Sequence, residues 1–204
     1  MAQVSTLFWD IGGVLLSNGW DRHARARAVH HFQLEHDDFD ERHRAHVTDF
    51  EEGRLTLDAY LNAVIFYKDR PFSVDDFKHF MYAQSEPYAE MLDVARSLHA
   101  SHQYLMAVLS NESRELTQYR IERFGLRSLF SLFLASCFLG IRKPDTDIYE
   151  LALEITQTAP ANALFIDDRK ENVEAARSLG FQTIHHEDSA LQLVEALKLK
   201  GITL

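Results

Sequence analysis

The apolar positions of this chain follow two kinds of pattern: short continuous runs, and stripes that recur at helical spacing. The first run, Leu7-Phe8-Trp9, ends at an acid, Asp10, and Gly12 and Gly13 follow. A short apolar run bounded by glycines reads as a strand buried in a parallel sheet, with Asp10 at its carboxyl end. The glycines permit a sharp turn and a close approach of the backbone to a ligand. For Asp10 taken alone, a residue that merely ends a strand and opens a turn is the plain alternative.

From Trp20 to about Ser85 only helical periodicity is found. Trp20, Ala24, Ala28 and Phe32 share one face, and Phe39, Val47 and Phe50 mark a second helix. Thr56 is placed to cap a third, with Ala59, Tyr60, Ala63, Val64 and Tyr67 on one face. Ser73 with Asp76 has capping-box spacing and opens a fourth through Phe77, Phe80 and Met81. The pattern predicts a four-helix cap over residues 17–86, inserted into a core of residues 1–16 and 87–204.

Beyond Pro87 the two patterns alternate. A helix through Met91, Leu92, Ala95 and Leu98 precedes a strand over 104–109 that ends in Ser110-Asn111. A helix over 113–124 stops at Gly125, and a third strand covers 132–135. Lys143-Pro144 opens a helix carrying Ile148, Leu151, Ala152 and Ile155. A fourth strand over 163–166 ends in Asp167-Asp168, and the helix of Val173, Ala176 and Leu179 stops at Gly180. A fifth strand over 181–184 and a last helix of Leu191, Val194 and Leu197 complete the chain. Such alternation predicts an α/β fold, a parallel sheet with helices on both faces.

Composition narrows the function. The 204 residues suffice for one good core and a small second one. A formal net charge of −10 argues against nucleic-acid binding but not against a small phosphorylated metabolite, which senses only the local field. No apolar run approaches membrane-spanning length and no basic leader precedes one, so no membrane contact and a cytoplasmic location are expected. The single cysteine, Cys137, lies in an apolar run and reads as a core thiol. Seven of the eleven histidines fall between His23 and His79. Within that stretch His43 and His46 are the one tidy i,i+3 pair; without a third ligand they read as solvated helix faces.

The polar residues at the strand ends form one set. Asp10, Ser110-Asn111 and Asp167-Asp168 end three strands, and Lys143 precedes the helix after another. All lie at the carboxyl edge, where the crevice of an open α/β sheet binds ligands. Clustered carboxylates are costly without a cation, and all-oxygen ligation points to Mg²⁺. Ser110, the N–H groups after it and the Lys143 ammonium suit phosphate oxygens. Singly, each residue has an ordinary role as cap, surface charge or loop; their common edge argues for a site.

In order and spacing, Phe8-Trp-Asp-Ile-Gly-Gly-Val14, Val108-Leu-Ser-Asn111, Lys143-Pro144 and Phe165-Ile-Asp-Asp168 with Asn172 resemble the signatures of the haloacid dehalogenase superfamily. The resemblance implies a Rossmann-like three-layer core of strand order 5-4-1-2-3 under a mobile helical cap. It implies that Asp10 is a nucleophile forming an aspartyl-phosphate, with Lys143 the second catalytic group. Mg²⁺ would be held by the Asp10 side chain, the Gly12 carbonyl and Asp168, with Asp167 nearby. Ser110, Asn111 and Lys143 would bind the phosphoryl group. A similarity to bacterial sugar-phosphate phosphatases of this superfamily suggests a sugar phosphate as substrate.

One residue departs from the pattern. Phosphatases of the superfamily usually carry a second Asp two residues after the nucleophile, as general acid and base; here that residue is Gly12. General acid–base help is worth about 10²- to 10⁴-fold. Three readings stand: a phosphatase whose acid comes from elsewhere, His23 of the cap being one source; a metal-independent haloacid dehalogenase, against which Asp167-Asp168 speak; and a non-catalytic phosphometabolite-binding protein. Asn18, Trp20 and Arg54 are the candidates for substrate contact from the cap, with Trp20 equally suited to anchor its core.

Overall fold

The computed structural model describes residues 3–187 and 189–203. It opens with β1 (Thr6–Trp9) and four helices, α1 (Arg22–Phe32), α2 (His36–Glu51), α3 (Leu57–Val64) and α4 (Val74–Ala83). The chain continues through α5 (Ala89–Ala100), β2 (Leu105–Ser110), α6 (Arg114–Arg123), β3 (Leu132–Ala135) and the short α7 (Ser136–Leu139). It ends with α8 (Thr146–Thr156), β4 (Ala163–Asp167), α9 (Lys170–Ser178), β5 (Gln182–His185) and α10 (Ala190–Leu199). All neighbouring strands pair in parallel, in the order β3-β2-β1-β4-β5, which is the order expected.

β1 lies at the centre, Phe8 level with Ala107 of β2 and Phe165 of β4. Its side chains alternate between two cores, as a strand covered on both faces must. Leu7 and Trp9 pack with α5 and α10 on one face, through Leu92, Leu98 and Leu193. Phe8 packs with α8 and α9 on the other, through Ile148, Tyr149 and Ala176. The four helices of residues 22–83 enclose a third cluster around Trp20, Phe39, Tyr60 and Phe77. Ser73 and Asp76 do form the capping box of α4, and Thr56 caps α3.

Two segments join this helical unit to the sheet, and they pair with each other. Ser17 N–H donates to the Glu86 carbonyl at 2.8 Å, and Tyr88 N–H to the Leu15 carbonyl at 3.0 Å. The buried Arg120 of α6 reaches both segments, donating from Nε to Ser85 Oγ (3.0 Å) and from Nη2 to the Ser17 carbonyl (3.4 Å).

Four local expectations change. Lys143 does not open a helix: α8 starts at Thr146, and Lys143 sits in the loop before it, its main chain bonded to Asn111. β3 runs directly into the unforeseen α7. Tyr67 lies beyond the end of α3, where Phe66 N–H reaches back to the Leu61 carbonyl and unwinds the last turn; its ring packs under the Arg42 guanidinium. His43 is not on a solvated face. It falls on the same stripe of α2 as Phe39 and Phe50 and is buried. The apolar period of α2 outweighs the usual surface preference of histidine because Tyr60 supplies its ring with a hydrogen bond at 2.7 Å. Cys137 is buried, as expected, and burial pushes its thiol up to about 11.

Candidate active site

The carboxyl edge of the sheet is built around one ammonium group. Lys143 is 1% exposed, and its Nζ meets the Leu109 carbonyl at 2.9 Å, Asp167 Oδ2 at 2.6 Å and Asp10 Oδ1 at 3.1 Å. Its three donors are thereby all engaged. Burial alone would lower the Lys143 pKa; Asp10 and Asp167 outweigh it and raise it. The lysine is held in place by Asn111, whose amide accepts from Lys143 N–H (2.9 Å) and donates to the Lys143 carbonyl (2.8 Å). The Asn111 side chain therefore positions Lys143, and its main chain is what remains to meet a ligand.

Asp10 follows β1 directly, its N–H bonded to the Ile166 carbonyl at 2.9 Å. One carboxylate oxygen, Oδ1, accepts from Ile11 N–H (2.8 Å) and faces Lys143. The other, Oδ2, has no hydrogen-bond partner among the described residues, so one oxygen is clamped and one is free.

The two acids after β4 divide in the same way. Asp167 is fully buried and fully engaged: Oδ1 accepts from Arg169 N–H and Asn172 Nδ2, Oδ2 from Lys143 and Asn172. Burial pushes its carboxyl up to about 6, with Lys143 opposing. Asp168 Oδ2 accepts one long bond from Asn18 Nδ2 (3.3 Å), while Oδ1 is buried with no partner. Burial, and then the charge of Asp10, raise the Asp168 pKa. Single oxygens of Asp10, Asp167 and Asp168 lie within 4.8 Å of one another. An orphaned buried carboxylate oxygen beside two further acids is a donor set that a hard divalent cation fits. Asp168 has an unpartnered oxygen to give it and the Asp10 carboxylate lies beside it, whereas both oxygens of Asp167 are already committed. Gly13 keeps this corner open, since its backbone is left-handed (φ 75°) and a Cβ there would overlap the Asp168 carboxylate.

A cleft of about 570 Å³ opens from these groups toward the helical unit. Of the residues expected in it, Asp10, Gly12, Asn18, Trp20, His23, Asn111, Lys143 and Asp168 line it. Ser110 lies buried at the end of β2 beneath it. Trp20 serves mainly as an anchor, its ring edge-on to Phe77 at 5.8 Å. Arg54 is not brought in: it is exposed and ion-paired with Asp49 at 2.7 Å. Sequence reasoning missed Arg25, Glu51, Glu112 and Arg120, which also line the cleft. Glu112 Oε2 faces Arg120 Nη1 at 3.3 Å and Oε1 accepts from Ser113 N–H, while Glu51 pairs with Arg142 at 2.9 Å. Burial raises the pKa of both acids. The signal for Arg120 is a charged residue on the apolar stripe of Leu116, Thr117 and Ile121.

Fold and site together define a doubly wound α/β protein with an acidic, lysine-bearing edge, an arrangement suited to group transfer onto a carboxylate. The chain belongs to the haloacid dehalogenase-like hydrolase family, whose profile matches residues 4–180. It is similar to the sesquiterpene phosphatase astK of Aspergillus oryzae, 40% identical over 73 residues, 36% of this chain; the shared segment spans 37% of that relative's length. Similarity to the D-ribitol-5-phosphate phosphatase of Bacteroides thetaiotaomicron is lower, 25% identity, but covers 92% of this chain and 94% of that one. A family enzyme from Bacteroides thetaiotaomicron, solved with magnesium and inorganic phosphate, shares the fold with a TM-score of 0.76 and 20% identity, over 92% of this chain and 95% of that one. Among the described residues no helix is long and apolar enough to cross a membrane.

Proposed function

We propose that the protein is a magnesium-dependent phosphomonoester hydrolase acting on a small phosphorylated metabolite through an aspartyl-phosphate on Asp10. The observation that carries this is the asymmetry of Asp10: Oδ1 is held by Ile11 N–H and Lys143, and Oδ2 is free. A carboxylate fixed by one oxygen presents the other as a nucleophile of defined direction. Asp10 Oδ2 attacks phosphorus, the bond from phosphorus to the ester oxygen breaks, and the departing oxygen takes a proton from the cleft. Water then attacks the phosphorus of the acyl phosphate, gives one proton back to the cleft, releases inorganic phosphate and returns Asp10 as a carboxylate. Lys143, its donors held by the protein, supports the negative charge beside the transferring group through its field, and Ser110 and the main chain of Asn111 offer donors. Asp10, Asp168 and the Gly12 carbonyl, with Asp167 behind them, would hold Mg²⁺, which would supply positive charge to the transferring group. Residues 17–86 act as the cap over this edge, and residues 1–16 with 87–204 as the catalytic core.

The proposal is tested by Mg²⁺-dependent phosphate release from a panel of phosphorylated metabolites, with p-nitrophenyl phosphate as a generic probe. Asp10→Asn is expected to abolish release, and rapid acid quenching to trap phosphate on the wild-type chain. Turnover that survives Asp10→Asn would overturn the reading. Halide release from a 2-haloacid, unaffected by chelator, would return the dehalogenase in its place.

A further inference from the structure

We infer that Arg25 and His43, on the cap wall of the cleft, form a subsite for a carboxylate carried by the substrate beside its phosphoryl group. The inference rests on the phosphatase reading for the chemistry at Asp10; the subsite itself follows from a chain of hydrogen bonds. The indole Nε1–H of Trp20 can only donate, and it lies 3.0 Å from the Tyr60 hydroxyl oxygen. Tyr60 is wholly buried, and the partner left for its own proton is His43 Nδ1 at 2.7 Å. His43 Nδ1 is therefore the acceptor. Burial first, with the charge of Arg25 adding, holds the His43 pKa down to about 4, so the ring is neutral at physiological pH. A neutral ring with Nδ1 bare carries its proton on Nε2. That nitrogen has no partner among the described residues, although His43 is 5% exposed and lines the cleft. The relay thus fixes one N–H donor on the cleft wall.

Arg25 adds the charge. It is half-buried in the same wall, and its Nη1 donates to the Trp20 carbonyl at 3.0 Å. No carboxylate among the described residues lies within ion-pair distance of it, whereas Lys143, Arg120 and Arg169 are each paired with an acid. A half-desolvated guanidinium with no acid in direct contact, Glu51 acting on it only at longer range, gains most from an anion that meets its planar fork. A neutral polyol tail would satisfy single N–H groups and leave the charge unmet. A carboxylate supplies one charge and two oxygens to the two donors.

The test uses carboxylates of two to five carbons phosphorylated at the far end, against alkyl phosphates of equal length. At the best length the wild-type protein is expected to prefer the carboxylate about 30-fold in kcat/KM, the ratio one charged hydrogen bond is worth. Arg25→Gln is expected to bring that ratio below about threefold, chiefly through KM. In ¹⁵N-histidine spectra, His43 is expected as the Nε2–H tautomer, and Tyr60→Phe to lose that preference. Calorimetric binding of the same ligand pairs to Asp10→Asn protein separates this inference from the one it rests on. Selective binding without turnover of any phosphomonoester leaves the subsite standing and removes the phosphatase reading. Equal affinities for carboxylate and alkyl phosphate, or an Nδ1–H tautomer of His43 in the wild type, overturn the subsite.

Discussion

Position 12 shows how one side chain separates the two halves of a proposed reaction. A Cβ built on Gly12 stands 3.0 Å from Asn18 Oδ1 and 3.8 Å from Arg120 Nη1, and the backbone there is not left-handed. Asn18 is the movable neighbour, so Gly12→Asp fits after a shift of a few tenths of an ångström. The new carboxylate would lie near the Arg120 guanidinium, which favours its ionised form. An ionised carboxylate is a poor proton donor but a competent base for the attacking water. The variant is therefore expected to speed breakdown of the phospho-enzyme by about 100-fold, the low side of general-base help, and to leave formation of the phospho-enzyme little changed. In pre-steady-state p-nitrophenol release, wild type should show a burst followed by a slow steady rate. In Gly12→Asp the two phases should merge. A wild type that releases p-nitrophenol without a burst would show that water attack does not limit turnover.

At the scale of elements, the joint between the helical unit and the sheet depends on α6. Arg120 reaches across to Ser17 and Ser85, one on each connecting segment, and its charge is met by the buried Glu112 at the head of the same helix. Removing one partner of a buried pair leaves an uncompensated charge and costs about 3–5 kcal/mol, whereas removing both is much milder. Arg120→Met is expected to lower the unfolding free energy by about that amount in urea titrations, and adding Glu112→Gln to restore part of it. Strictly additive losses would show that the two side chains act independently. This joint also marks the boundary of what sequence reasoning reached. The five strands and the polar residues that end three of them were legible, because a buried parallel strand is an uninterrupted apolar run and its end is abrupt. The four helices were legible from their stripes and caps. A helical stripe, however, says that a face is covered, not by what. Arg120 and His43 lie on covered stripes and face a cleft or a joint rather than a plain core. Arg54, in a glycine loop, instead pairs with its neighbours on the surface.

Across the whole molecule, buried titratable groups set opposite slopes of stability against pH. His43, depressed to about 4 from 6.5, has no effect above pH 6.5, where folded and unfolded forms are both neutral. Below that, the unfolded chain takes up a proton that the folded chain refuses, so stability falls as pH drops toward 4, by up to roughly 3 kcal/mol. Asp167, raised to about 6 from 3.8, runs the other way: its contribution is fully present below 3.8 and lost as pH rises through 6. Between these limits the two slopes oppose each other, and the wild-type profile alone does not resolve them. His43→Gln removes one and keeps the other. The broken Tyr60 hydrogen bond adds an offset that does not vary with pH, and Asp167 cancels in the difference between the two proteins. The stability advantage of wild type over His43→Gln is thus expected to shrink by about 2–3 kcal/mol between pH 7 and pH 4.5 in urea titrations. A constant difference over that range would mean that the His43 ring is protonated in the folded chain, and the Trp20–Tyr60–His43 relay would then lack the bare nitrogen on which it depends.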